Sequence, residues 1–109
     1  MNGGEGSDVL TGESGDDSIN GGAGNDAISG GDGSDMLNGG LGSDTILGGS
    51  GDDVLRSEGG SDYLSGGAGN DRFVDSGTHI ILGGGDDTVS GSRNVIDAIF
   101  IFDFDKLLV

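Results

Sequence analysis

A chain of 109 residues with 27 glycines, 31% hydrophobic residues and a formal charge of −16 carries too little hydrocarbon to offset its own ordering entropy. It has no Cys, which rules out disulfides and thiolate metal sites and leaves redox compartment undetermined. Twenty acidic side chains against four basic ones repel nucleic acid and anionic membranes and make cations the natural partners.

From the N-terminus, Met1 to Asp8 has neither a basic region nor an apolar core, so no Sec-type signal peptide is expected. No apolar run is long enough for a transmembrane segment. A repeat with a period of nine occupies most of the chain. Gly3–Thr11, Gly12–Asn20, Gly21–Ser29, Gly30–Asn38, Gly39–Leu47, Gly48–Arg56, Ser57–Ser65 and Gly66–Val74 succeed one another without a gap. Asp75–Ile81 is a degenerate segment of seven residues, after which Leu82–Ser90 recovers the pattern. In every full unit the fourth residue is Gly, the sixth is Asp and the eighth is large and apolar, from Leu10 and Ile19 through Phe73 to Val89. The first two positions are mostly Gly.

Each column has a physical reading. The first six residues form a tight turn whose glycines allow positive φ and close backbone approach. The last three place one apolar side chain between two that point the other way, which predicts a three-residue strand. Two units make one coil of eighteen residues, and coils stack through parallel strand pairing. The apolar column then forms two inner ladders, one from odd units and one from even. One Leu or Ile per nine residues is a thin core, and stacking brings the aspartates of alternate units together with few basic groups nearby. A hard divalent cation between stacked turns answers both problems. Calcium suits it best, because it takes six to eight oxygens from carboxylates and carbonyls in flexible geometry, whereas magnesium keeps its waters.

The unit Gly21-Gly22-Ala23-Gly24-Asn25-Asp26-Ala27-Ile28-Ser29 resembles the nonapeptide of the RTX (repeats-in-toxin) calcium-binding family at every fixed position, and the resemblance runs from Gly3 to Ser90. It implies an all-β fold, a right-handed parallel β-roll or β-solenoid. Calcium would lie between the turns of units n and n+2, bound by the sixth-position Asp and carbonyls of the glycine turn. Carried over residue by residue, the metal set comprises Asp8, Asp17, Asp26, Asp35, Asp44, Asp53, Asp62, Asp71 and Asp87. With them go the turn glycines Gly15, Gly22, Gly24, Gly31, Gly33, Gly40, Gly42, Gly49, Gly51, Gly60, Gly67, Gly69 and Gly85. Eight units give six pairs, and the eighth pairs with Leu82–Ser90 if the short segment preserves the phase, for roughly seven sites. Glu13 and Glu58 replace second-position glycines, and Ser57 and Leu82 replace first-position ones, so the sites built on Gly12–Asp17, Ser57–Asp62 and Leu82–Asp87 depart from the pattern. Such modules usually sit near the C-terminus of bacterial proteins exported by a type I system, stay unfolded in low cytosolic calcium and fold outside the cell. A secreted, extracellular location is therefore the expectation.

The division implied is a repeat roll over 1–90 and a C-terminal segment over 91–109. In that segment Val95, Ile96, Ile99, Phe100, Ile101, Phe102 and Phe104 concentrate apolar mass, as a solenoid cap requires. Its end, Asp105-Lys106-Leu107-Leu108-Val109, resembles the export signals of secreted RTX metalloproteases, with Lys106 as an inserted departure. The same segment would then engage type I secretion machinery.

Other function classes are weaker. Disorder does not call for an apolar residue at every ninth position and is expected of the calcium-free state only. No enzyme is expected. His79 is the one histidine, no Ser/His/Asp set or Cys nucleophile accompanies it, and nine identical aspartates read as structure. The Asp spacing also differs from that of an EF-hand loop. The alternative is a surface module that binds glycan or self-associates. Arg56, Arg72, Tyr63 and Met36 fall in its outward seventh and ninth columns.

Overall fold

The computed structural model describes residues 1–75, 78–83, 88–91 and 96–101, with side chains through residue 74. Its strands are β1 (Asn2–Glu5), β2 (Val9–Thr11), β3 (Ser18–Ala23), β4 (Ala27–Asp32), β5 (Met36–Asn38), β6 (Thr45–Ser50), β7 (Val54–Ser57), β8 (Ser61–Ser65), β9 (Arg72–Asp75), β10 (Thr78–Gly83), β11 (Thr88–Gly91) and β12 (Ile96–Ile101). They form two six-stranded sheets in the orders β1-β3-β5-β7-β9-β11 and β12-β10-β8-β6-β4-β2. Every pairing is parallel. The chain crosses from one sheet to the other at each turn, so the molecule is a stack of two-unit coils: a parallel β-roll.

The register follows from the period. Ile19 lies beside Leu37, Leu37 beside Leu55 and Leu55 beside Phe73 in the first sheet. Leu10, Ile28, Ile46 and Leu64 run in the same way through the second. These are the two inner ladders expected from the sequence, and from Ile19 to Phe73 all seven members are at most 2% exposed. Leu10 is partly buried against them. Seventh and ninth residues alternate outward, as in the exposed-buried-exposed pattern that opens β3 and β6.

Strands β3, β4 and β6 are six residues long, twice the length the sequence predicts, because pairing runs on into the glycines of the next unit. Gly4 lies beside Gly22 and Glu5 beside Ala23. Once coils are stacked with an eighteen-residue shift, turn residues lie over their own equivalents, and their N–H and C=O groups continue the ladder.

The seven-residue segment keeps the phase. Strand β10 takes the next place in the second sheet, with Ile81 beside Leu64. Val89 then falls beside Phe73 in the first sheet. The strand alternation survives the shortening. Strand β12 continues the second sheet beside β10, with Ile81 beside Ile99 and a register shift between His79 and Ile80. The backbone of Phe100 pairs with Leu82, while Phe102, Phe104 and the Asp105–Val109 motif lie outside the described residues.

Candidate metal centre

The turns line two opposite edges of the roll. Those entering β2, β4 and β6 carry Asp8, Asp26 and Asp44, with Asp62 at the start of β8 on the same edge, and those entering β3, β5, β7 and β9 carry Asp17, Asp35, Asp53 and Asp71. From Asp26 to Asp71 all six of these aspartates are buried, at 1–3% exposure, while Asp8 and Asp17 are half-buried.

The two oxygens of each carboxylate have different surroundings. From Asp26 to Asp71, Oδ1 accepts the main-chain N–H of the aspartate two units earlier. Asp26 Oδ1 takes Asp8 N at 2.9 Å, Asp35 takes Asp17 at 2.8 Å, Asp53 takes Asp35 at 2.9 Å and Asp62 takes Asp44 at 2.7 Å. Oδ2 of Asp8, Asp17, Asp26, Asp35, Asp44 and Asp53 is buried and accepts no hydrogen bond. A buried carboxylate oxygen without a donor is costly, and six in register point to a common partner of another kind.

The first-position glycines leave room beside those oxygens. A Cβ on Gly21 would lie 2.5 Å from Asp26 Oδ2 and 2.8 Å from the carbonyl oxygen of Gly39, one coil on. On Gly12 it would meet Asp17 Oδ2 at 2.5 Å and the Gly30 carbonyl at 2.7 Å, and Gly48 repeats this with Asp53 and Gly66. Carboxylate and carbonyl oxygens of successive coils thus converge over a Cα that bears no side chain. Any larger residue would fill the cradle.

The second- and fourth-position glycines named from the sequence do a different job. Gly15, Gly22, Gly24, Gly31, Gly33, Gly40, Gly42, Gly49, Gly51, Gly60, Gly67 and Gly69 all have positive φ. A Cβ on Gly22 would overlap the carbonyl oxygen of Gly4, and one on Gly42 that of Gly24. Their absent side chains let the coils touch. The Gly22 carbonyl accepts Leu41 N at 3.0 Å and that of Gly49 accepts Ala68 N at 3.0 Å, which leaves each a second lone pair. Gly85 and Asp87 lie outside the described residues.

Two features were not singled out from the sequence. The fifth column forms its own ladder: Asp16 Oδ1 accepts Ser34 N at 2.8 Å, Asn25 Oδ1 accepts Ser43 N at 2.8 Å and Asp52 Oδ1 accepts Asn70 N at 2.9 Å. These bonds run opposite in direction to those of the sixth column. The second is a hydrogen bond at the first-position departure of unit seven, where the Ser57 hydroxyl donates to Asp62 Oδ2.

Electrostatics point the same way. Burial raises the Asp44 carboxyl from 3.8 to about 6; the Asp26 N–H works against this, and repulsion from Asp62 and Asp26 adds to it. Burial likewise raises Asp53 to about 6, opposed by the Asp35 N–H and reinforced by Asp35 and Asp52. A nearby cation would reverse both shifts. Among the described residues no three Asp, Glu or His side chains converge, so a cation here draws on backbone carbonyls. A hard, anionic, all-oxygen cradle of carboxylate and carbonyl groups fits calcium.

No curated protein and no solved structure matches the chain. The family model of the RTX calcium-binding nonapeptide repeat (4 copies) matches residues 2–37, 38–73 and 79–94. Those stretches hold the described aspartate rows and the glycines over which their free oxygens converge, and with most of its length matched the chain belongs to the RTX calcium-binding nonapeptide repeat family.

Proposed function

We propose that calcium folds this roll, and that the chain serves a bacterial exported protein by staying open where calcium is scarce and closing outside the cell. The observation that carries the first half is the six buried Oδ2 atoms, three along each edge, that accept no hydrogen bond. Without cations, stacking the coils buries like charges over a core one side chain wide, and the unfolded chain is favoured. With calcium, each ion joins two coils, so binding and stacking are one event and the transition is cooperative. An affinity near the roughly 10⁻⁴–10⁻³ M of extracellular modules would keep the chain unfolded at cytosolic calcium. Passage through a type I secretion channel and an export role for the C-terminal segment complete this reading, supported by family membership. Far-ultraviolet circular dichroism in excess EGTA and in 10 mM calcium tests the folding step (the concentration is about ten times the weak end of that affinity range). We expect coil in the first and β in the second; equal β content in both would refute it.

A second reading has one observation behind it. The outer face of β3, β5, β7 and β9 forms a groove of about 500 Å³ lined by Asn20, Met36, Asn38, Arg56 and Arg72 among others. Apolar, amide and guanidinium groups on one face suit a glycan, and a calcium-dependent glycan-array signal lost in Arg56→Ala would support this surface role.

A further inference from the structure

Unit seven breaks the pattern at the point where the cradle forms. In six other units the first-position residue is a glycine and the aspartate five residues on has a buried Oδ2 with no donor. In unit seven the residue is Ser57, 2% exposed, and its hydroxyl donates to Asp62 Oδ2. Asp62 Oδ1 accepts Asp44 N at 2.7 Å, so both of its oxygens have donors.

We propose that Ser57 is a built-in plug: unit seven satisfies its carboxylate with a hydroxyl and takes no ion through Asp62 Oδ2. The serine Cβ and Oγ stand on the side of the backbone where glycine leaves room between carboxylate and carbonyl. Two donors on one carboxylate, N–H and O–H, hold its charge by hydrogen bonding. Within the folded roll Asp62 thereby joins its coil to that of Asp44 through Oδ1 with no ion needed at Oδ2. The first column is a switch within the repeat: glycine opens a cradle, and serine closes it without leaving a buried oxygen bare. This rests on the calcium reading above and goes beyond it by assigning one unit a different role.

The test counts bound calcium by equilibrium dialysis at saturation, with circular dichroism to confirm the roll. Asp26→Asn is expected to bind one ion fewer than the parent chain and Asp62→Asn the same number. Gly21→Ser, which copies the plug into unit three, is expected to lose one ion and keep its β content. An ion lost in Asp62→Asn, or an unchanged count in Asp26→Asn or Gly21→Ser, overturns the plug. Should Gly21→Ser fail to fold, the two Asn variants decide. A parent chain that binds no calcium sinks both this inference and the calcium reading, whereas the variant outcomes sink this one alone.

Discussion

The main-chain N–H of Asp26 donates to Oδ1 of Asp44 at 2.9 Å, across eighteen residues and one coil. The same carboxylate whose Oδ2 lines the proposed metal cradle thus pins the coil before it through Oδ1. Structure and binding share one side chain, which makes the aspartate column sensitive to change.

Replacing Asp44 or Asp35 with Ala removes both functions in the middle of the roll. A charge-assisted hydrogen bond to a buried carboxylate is worth about 1.5–3 kcal/mol, so the calcium midpoint is expected to rise roughly tenfold or more. Asp8 is half-buried at the end of its row, and Asp8→Ala is expected to shift the midpoint less. Calcium titrations followed by circular dichroism compare the three; equal shifts would contradict the account.

Glu13 is the one non-glycine with positive φ among the described residues, at 78°. It occupies a second position, and its carbonyl accepts Asp32 N at 2.8 Å, as the glycines there do for their coils. Glu13→Gly removes the left-handed penalty, which is about 1–2 kcal/mol for a residue with a Cβ. Chemical denaturation in saturating calcium is expected to show a stability gain of about 1 kcal/mol, and a loss would contradict it.

Gly42 has φ +108°, and a Cβ there would overlap the Gly24 carbonyl. Gly42→Ala therefore forces the coils apart as well as straining the backbone. It is expected to abolish the calcium-induced β signal at concentrations that fold the parent chain. A wild-type titration curve would show that the coils stack less closely than described.

The pH response is expected to differ in sign with and without calcium. Asp44 and Asp53 are raised from 3.8 to about 6 in the metal-free roll, so the folded state holds protons more tightly than the unfolded chain. Their contribution to the metal-free roll is present below about pH 4 and is lost as pH rises through 6. Calcium binding runs the other way, because protons compete for the same oxygens and affinity falls below pH 6. Circular dichroism in EGTA at pH 4 and 7, beside calcium titrations at pH 5 and 7, checks both signs (the values bracket the folded and unfolded ionisation ranges).

Much of this was legible in the sequence because the repeat is strict. A period of nine, with Asp at six and an aliphatic residue at eight, determines the register of Leu37 on Leu55 and the two-ladder core. Strand length was not legible, since glycines that read as turn continue the pairing only after stacking. The fifth-column ladder of Asp16, Asn25 and Asp52 was hidden because that column varies in residue type while keeping an acceptor. The first column was undervalued for a related reason. Its signal is an absence of side chain, and only the positions of Asp26 Oδ2 and the Gly39 carbonyl reveal what that absence leaves room for. Ser57 read as a departure from the pattern, and its hydroxyl bond to Asp62 needed coordinates to be seen.

The central claim is that calcium sits between coils, beside the free carboxylate oxygens. Anomalous diffraction from crystals grown in calcium locates the ions directly. Peaks are expected within coordination distance of Oδ2 of Asp17, Asp26, Asp35, Asp44 and Asp53, in two rows along the edges of the roll. Ordered coils with no anomalous density along those rows would contradict the claim.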